Sequence, residues 1–307
     1  MKGMSCSEDE LIVTAGSSQA AILLGILLRG RFGAIQVEDP TYPPLRALLK
    51  RQGLALRPIS VDSSGIPPEE VSATLPLLAT PAHHFPTGAV LPADRRAALA
   101  KLARAGDSLI IEDDYDGELR QRGFPIQPLR SLAPDRVIFL GTFSKVMYPG
   151  IRLGYILAPP SILGKLAAIK EKTALWAEGL TQAALARFIE EGRLDRRVRS
   201  LKRNCASKRE LIEELAAGLP GGNARIEGEA CGMHLRLAFP EGLPADFHSA
   251  KTRAAGFLAS PVSSFSISRK IGREDSLLVG YGNLDAAGIR EGFARIGAYI
   301  EKQKRLR

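Results

Sequence analysis

The first half of the chain alternates short apolar runs with longer amphipathic segments. Short apolar runs bounded by turn residues are typical of parallel strands that are covered on both faces. The runs that predict strands lie at 11–14, 34–38, 55–61, 75–80, 108–113, 136–140 and 153–158. The segments that predict helices lie at 18–29, 43–52, 92–105 and 161–175. Because strands alternate with helices, we expect an α/β fold with a mostly parallel sheet.

The second half of the chain changes character and predicts a smaller unit. Its pattern is helical over 181–216, and a Gly- and Pro-rich stretch follows at 218–222. Further strands are predicted near 223–228, 233–238 and 276–281. A final helix carries Ile289, Phe293, Ile296 and Ile300 at helical spacing. We therefore predict a large domain over residues 1–195 and a small C-terminal α/β domain over 196–307.

Composition places the chain among soluble globular proteins. Of its 307 residues, 45% are apolar and 24% are charged. The apolar stretches are shorter than the ~20 residues that cross a bilayer, and the N-terminus has no secretory apolar region. We therefore expect a cytoplasmic protein with no membrane partner. The three cysteines are widely spaced, which argues against a disulfide framework or a metal site.

The net charge of +9 raises the question of a nucleic-acid partner. Basic residues concentrate in 193–203 and in the tail 301–307. They form either the solvated face of a long helix or a surface that faces DNA, and the pattern favours the first. No helix-turn-helix or zinc-finger pattern is visible, so we expect no element that reads base edges.

Candidate chemistry concentrates between Ile110 and Arg152. One apolar run ends in the acids Glu112, Asp113 and Asp114, and the next ends in a turn that carries Lys145. Because ligands gather at the carboxyl ends of parallel strands, these side chains predict a single site.

Six phrases in this half of the chain carry a family resemblance. They are TAGSSQAA (14–21), VEDPTYP (37–43), TPAHHFPTG (80–88), IIEDDYDGEL (110–119), GTFSK (141–145) and GIRLGY (150–155). In this order they resemble the fold type I enzymes that depend on pyridoxal 5'-phosphate (PLP). In detail they resemble the aminotransferase-like domain of MocR-type regulators, a branch of the GntR family of transcription factors.

The resemblance implies roles for three catalytic residues. Lys145 forms the Schiff base with PLP, Asp113 holds the pyridine nitrogen, and Tyr115 lies beside the phenolate oxygen. Asp113 and Tyr115 are two residues apart, so on an extended segment they share one face. Glu112 and Asp114 then face the other way, and we expect both to be structural. The uncharged neighbours of Lys145 suggest an apolar pocket around its amine.

The resemblance also implies the residues that hold the rest of the cofactor. Backbone amides at a helix start favour a phosphate dianion, although the same turn is also an ordinary helix cap. The phosphate residues implied are Gly16, Ser17, Ser18, Thr142 and Arg152. Tyr42 is expected to stack on the ring. His84 is expected either beside the ring edge or as a structural histidine at a strand end.

Two departures from the family pattern leave the function open. Aminotransferases of this fold clamp a substrate carboxylate with an arginine of the small domain, but residues 276–284 contain none and Arg269 lies upstream. The chain also begins at the first strand, without the winged-helix module of the regulators.

Three hypotheses follow from these departures. The first is the effector-sensing domain of a MocR/GntR-type regulator, a homodimer that binds an amine or amino acid and contacts DNA only through a winged-helix module absent from this chain. The second is a free-standing aminotransferase acting between an amino acid and a 2-oxo acid. The third is a degenerate fragment without catalysis that cannot fold alone.

Overall fold

A computed structural model describes residues 3–173, 177–220, 224–240, 242, 259–268 and 276–305. The strands within these ranges are β1 (Leu11–Thr14), β2 (Ala34–Asp39), β3 (Ala55–Ser60), β4 (Leu77–Ala79), β5 (Ile110–Asp114), β6 (Val137–Thr142), β7 (Gly154–Leu157), β8 (Arg225–Glu227), β9 (His234–Ala238), β10 (Ala259–Pro261) and β11 (Ser276–Gly280). The helices are α1 (Gly16–Arg29), α2 (Pro43–Arg51), α3 (Ala93–Ala105), α4 (Pro160–Lys172), α5 (Gly179–Glu190), α6 (Arg193–Ala217) and α7 (Ala286–Arg305).

The large domain is built on a mostly parallel sheet, as predicted. Among the described residues seven strands form it, in the order β1-β7-β6-β5-β4-β2-β3. The pairs from β3 to β6 are parallel, and β7 runs antiparallel to both of its neighbours. Every residue of β5 and β6 is buried, because helices and loops cover both faces of the sheet. The predicted α/β fold is confirmed.

The small domain is a separate antiparallel sheet with two helices packed on it. Its strand order is β10-β11-β9-β8, and β10 was not predicted from the sequence. The core joins this sheet to α6 and α7 through Ile212, Leu277 and Phe293, all of them buried. Position 223, where the first of these strands was expected to begin, lies outside the described residues.

The segment 181–216, predicted to be helical throughout, is two helices. The chain turns at Gly192, whose φ of +65° is a left-handed conformation that glycine adopts readily. The predicted domain boundary at 195/196 falls in the first turn of α6. That helix packs at Val198 against the large domain and at Ile212 against the small one, so the division stays a prediction.

None of the helices in the described part of the chain combines the length and the apolar character needed to cross a bilayer.

Candidate active site

Pairing of β5 with β6 brings the predicted acid and lysine segments to one edge of the sheet. In the register of these strands Asp113 lies opposite Leu140 and Asp114 opposite Gly141. Lys145 follows in the turn after β6, which is anchored by the buried Val146. The Lys145 side chain is exposed in the single chain, so the apolar pocket expected around it is wrong for this state.

The faces predicted for the acids of β5 agree with their contacts. Glu112 accepts backbone N–H bonds from Leu129 at 2.8 Å and from Arg130 at 2.9 Å. Asp114 accepts the backbone N–H of Gly117 at 2.9 Å. Both carboxylates therefore hold the loops that follow β5, which is a structural task.

Asp113 lies on the other face, close to a second buried acid. Glu38, at the end of β2, accepts the backbone N–H of Thr80 at 2.9 Å and the Thr80 hydroxyl at 2.7 Å. Burial raises the pKa of Glu38 to about 7, and the nearby charge of Asp113 adds to this shift. The charge of Asp113 thus bears on the protonation of Glu38.

His84 lies beneath this edge of the sheet. Its Nδ1 is 2.7 Å from the Thr87 hydroxyl, and its Nε2 is 3.6 Å from a carboxylate oxygen of Glu38. Burial lowers the pKa of His84 to about 3, so the imidazole is neutral. These contacts fit the structural alternative, and a role for His84 at the cofactor ring stays a prediction.

Tyr115 turns its hydroxyl toward the loop that follows β4. The hydroxyl donates to the carbonyl oxygen of His83 at 3.0 Å and lies 3.4 Å from the Nδ1 of the same residue. Burial raises the pKa of Tyr115 well above its usual value, and the charge of Asp116 contributes next. The phenol therefore stays protonated, and its one proton is donated to the His83 carbonyl.

Sequence reasoning missed a buried cluster beside Tyr115, formed by His83, Asp116 and His234. His83 Nδ1 lies 3.0 Å and 3.1 Å from the two carboxylate oxygens of Asp116. The ring of His234 lies 4.5 Å from that of His83, centroid to centroid. The adjacent pair at 83–84 was a visible signal, but the sequence pointed to His84 rather than to its neighbour.

Aromatic side chains line the approach to the site. Tyr42 is 46% exposed and meets the edge of Phe85 at a centroid distance of 5.3 Å. Phe85 also contacts Phe265 and His234 of the small domain, at 5.1 Å and 5.4 Å. The Tyr42 ring is therefore partly exposed, and its stacking on the cofactor stays a prediction.

The start of α1 and Arg152 form a corner at the place predicted for the phosphate. Helix α1 follows Ala15, which has no side-chain acceptor to cap the amides of its first turn, Gly16, Ser17 and Ser18. Gly16 has a φ of +75°, and a Cβ there would lie 3.4 Å from the Arg152 guanidinium. Arg152 also donates to the Ala15 carbonyl at 3.3 Å. First-turn amides without a side-chain cap and a guanidinium at a helix start suit a dianion.

Thr142 closes this corner at the end of β6. Its hydroxyl accepts the backbone N–H of Ser144 at 3.2 Å and lies 3.5 Å from the carbonyl oxygen of Leu153, to which it donates. A Cβ at Gly154 would lie 2.8 Å from the Gly141 carbonyl and 3.2 Å from the Gly16 Cα. The glycines thus let α1, β6 and β7 meet closely, which brings Thr142 toward the start of α1.

Comparison with known proteins agrees with this geometry. The family described as aminotransferase class I and II matches residues 4–231. The chain belongs to this family. The predicted fold type I architecture and the predicted cofactor, PLP, are confirmed with it.

Regulators are among the relatives of this aminotransferase-family chain. It is 36% identical over 299 residues to the HTH-type pyridoxine biosynthesis transcriptional regulator PdxR of Corynebacterium glutamicum, covering 96% of this chain and 64% of that protein. It is 29% identical over 295 residues to the probable rhizopine catabolism regulatory protein MocR of Rhizobium meliloti, covering 95% of this chain and 59% of that protein. The chain thus spans less than two thirds of either regulator.

A solved enzyme structure is also similar. Pyrococcus horikoshii kynurenine aminotransferase superposes with a TM-score of 0.87 at 25% identity, over 97% of this chain and 76% of that one.

The residues present fit PLP. The first-turn amides of α1 with Arg152 suit its phosphate, the buried carboxylate of Asp113 suits a protonated pyridine nitrogen, and the Tyr115 phenol suits the ring oxygen. Lys145 supplies an accessible amine at the same edge of the sheet. The individual assignments remain predictions.

The raised pKa of Glu38 predicts a specific pH dependence of stability. The folded protein holds this proton up to about pH 7, whereas the unfolded chain releases it near the ordinary value of 4.5. Stability therefore falls as pH rises through this window. Between pH 4.5 and about pH 7, the free energy of unfolding of the parent protein should fall by roughly 3 kcal/mol more than that of Glu38→Gln.

Urea unfolding of the cofactor-free protein across this pH range measures the difference. Glu210→Gln, at an exposed position of α6, serves as the matched control and should track the parent. Parallel curves for Glu38→Gln and the parent would show that the buried carboxyl does not hold its proton.

Proposed function

We propose that this chain is the PLP-binding, effector-sensing domain of a MocR/GntR-type transcriptional regulator. The observation that carries the proposal is the meeting of three features at one sheet edge: Asp113 and Tyr115, the Lys145 turn, and the corner of α1 with Arg152. The regulators to which the chain is similar support the regulatory half of the proposal.

Each residue has a distinct task in this proposal. Lys145 holds the cofactor covalently through its amine, and Asp113 keeps the pyridine nitrogen protonated. The Tyr115 hydroxyl turns its proton from the His83 carbonyl to the ring oxygen when the cofactor is bound. Tyr42 stacks on the ring, and the amides of α1 bind the phosphate together with Arg152. When bound, PLP supplies an aldehyde that captures amines and a ring that withdraws electrons.

The ligand of the proposed sensor is a small amine or an amino acid. In β11, where an aminotransferase of this fold presents a carboxylate-binding arginine, this chain has the apolar Leu277 and Leu278. Arg269, the arginine that precedes this strand, lies outside the described residues. A ligand carboxylate thus gains no guanidinium from β11, which favours sensing over rapid turnover.

Partners and location follow from the same proposal. The exposed apolar side chains Tyr42, Tyr148 and Leu180 support a homodimer, the assembly implied by the family resemblance. DNA contact would come through a winged-helix module, and a regulator acts in the cytoplasm, where bacterial DNA lies.

A free-standing aminotransferase is the second candidate. It is favoured by the likeness to the kynurenine aminotransferase structure, which extends over nearly the whole chain. The third hypothesis, a degenerate fragment, differs from both in expecting no covalent capture of PLP.

Lys145 should carry PLP covalently. The purified protein should show a visible absorption band, and borohydride should fix the cofactor to the Lys145 peptide because reduction makes the bond permanent. Lys145→Ala should lose both signals, whereas the control Lys101→Ala, at an exposed position of α3, should keep them. Mass spectrometry that finds the Lys145 peptide unmodified in fully loaded protein would refute the assignment.

Asp113→Asn should weaken PLP binding far more than Asp114→Asn. Loss of the charge-assisted bond to the pyridine nitrogen costs about 1.5–3 kcal/mol, or ~10-fold or more in affinity. Asp114→Asn should instead lower stability, because the Asp114 carboxylate accepts the Gly117 N–H. Fluorescence titration with PLP, with urea unfolding alongside, separates the two effects. A larger affinity loss in Asp114→Asn would reverse the face assignment.

The choice between sensor and enzyme rests on turnover. With a panel of amino acids and amines, conversion to pyridoxamine phosphate should be slower than the ~1 s⁻¹ at the low end of ordinary enzymes. Binding should nevertheless shift the visible spectrum. Stopped-flow absorbance measures both quantities, and turnover within the ordinary enzyme range would establish the free-standing aminotransferase instead.

A further inference from the structure

The buried cluster of His83, Asp116 and His234 joins the two domains directly beside Tyr115. His83 lies in the loop after β4 and Asp116 follows β5, both in the large domain. His234 begins β9 of the small domain, where it pairs with Gly280 of β11. All three side chains are more than nine-tenths buried. The cluster is therefore a polar contact between domains that is sealed from solvent.

Within the cluster, the His83 ring is held by Asp116 at its edge and by His234 on its face. Asp116 meets His83 Nδ1 with both carboxylate oxygens, at 3.0 Å and 3.1 Å, which fixes the plane of the imidazole. The ring of His234 covers that of His83 at a tilt of 32°. Among the described residues, the Nε2 atoms of both rings have no hydrogen-bond partner.

Backbone contacts keep the small-domain loop in register with this cluster. Glu229 N donates to Gly88 O at 2.9 Å, and Gly232 N donates to Leu119 O at 3.2 Å. A Cβ at Gly232 would lie 1.9 Å from an Asp116 oxygen and 2.9 Å from the His83 ring. Only a glycine therefore lets the loop approach Asp116 and His83 so closely.

The cluster ends on Tyr115. The Tyr115 hydroxyl is 3.0 Å from the His83 carbonyl oxygen and 3.4 Å from His83 Nδ1, so backbone and side chain of one residue both set its place. A displacement of His83 thus moves the hydroxyl that the proposed function assigns to the cofactor ring.

We propose that His83 is a positioning residue for Tyr115, and that His234 makes this positioning depend on the placement of the small domain. The inference rests on the proposed function in that Tyr115 is there the donor to the cofactor ring oxygen. A ligand that moves the small domain then changes the hydrogen bond that Tyr115 makes. In the proposed sensor, the position of the small domain would thus affect the hydrogen bonding of the cofactor ring oxygen.

Hydrogen bonding describes the cluster better than metal binding. One atom from each of the three residues lies within 4.8 Å of the others, which resembles a ligand set. Yet His83 Nδ1 already faces the carboxylate at hydrogen-bond distance, and the two imidazoles overlap with a small tilt rather than converging on a point. We therefore assign a proton to His83 Nδ1.

The first test uses the cofactor-free protein and does not depend on PLP binding. In ¹⁵N-histidine-labelled protein, long-range NMR should show His83 with its proton on Nδ1 and a bare Nε2. Asp116→Asn and His234→Phe should each shift the His83 signals. Tyr281→Phe is the matched control, because it removes the hydrogen bond to Gly232 O in the same loop and the one from Gln121, while the three cluster residues stay unchanged. An Nε2–H tautomer, insensitivity to both variants, or loss of the Nδ1 proton on zinc addition would overturn the proposal.

The second test measures Tyr115 through the PLP-loaded protein. A hydrogen-bond donor to the ring oxygen of PLP stabilises negative charge on that oxygen and weakens its hold on the neighbouring proton. Losing the donor therefore raises the pH at the midpoint of the visible spectral change. Tyr115→Phe sets the reference shift. His83→Phe should raise the midpoint by at least half of that shift, and His83→Asn, whose amide can still donate to Asp116, should restore most of it.

A double-mutant cycle separates positioning from general loosening of the site. If His83 acts through Tyr115, His83→Phe should add little in the Tyr115→Phe background, because coupled residues are not additive. The charges that face Tyr115 are the same in all His83 variants; they come from Asp116, Cys231, Asp113 and Asp114. His234→Phe should shift the midpoint in the same direction, and Tyr281→Phe should leave it in place.

The outcomes separate this inference from the proposed function. Full additivity of His83→Phe and Tyr115→Phe, or an unshifted midpoint in His83→Phe, would overturn the positioning role while PLP binding stands. A protein without a visible band would overturn the proposed function, and the NMR measurement would still decide the state of His83.

Discussion

The parallel pairing of β5 with β6 is the constraint on which the site depends. Both strands are buried along their whole length, so a slip of one residue would exchange the two faces and is strongly disfavoured. The register fixes Asp113 opposite Leu140 and assigns the acids of β5 to opposite tasks. Glu112 and Asp114 bind backbone amides of the following loops, whereas Asp113 lies on the other face of the strand.

Burial of acids near this edge follows from the same packing. Glu38 and Glu112 both lie in the interior, and burial raises the pKa of each to about 7. Each is held by two N–H or O–H donors rather than by a facing cation at hydrogen-bond distance. The sheet edge therefore rests on two carboxyls that burial favours in their neutral form.

Local pattern was sufficient to predict the α/β fold and the position of the acids on β5, because buried strands and amphipathic helices have their own periodicities. It failed where the outcome depends on distant packing. The break at Gly192 interrupts a continuous helical pattern, and the short strand β10 exists only through its pairing with β11. His83 and His84 are adjacent in sequence, and only the path of the loop after β4 sends one toward Tyr115 and the other toward Glu38. His234 reaches the site from the other domain, which no local pattern reveals.

Helix α6 contributes side chains to the cores of both domains. Its first turns belong to the core of the large domain around Val198, and its last turns belong to the core of the small domain around Ile212. Near the first turns, Arg197 donates to the carbonyl oxygens of Val146 at 2.7 Å and Met147 at 2.6 Å, directly after Lys145. Because α6 is one continuous helix, it connects the core of the small domain to the backbone of the turn that carries Lys145. A reorientation of the small domain that moves α6 would therefore act on the two backbone carbonyls that follow Lys145.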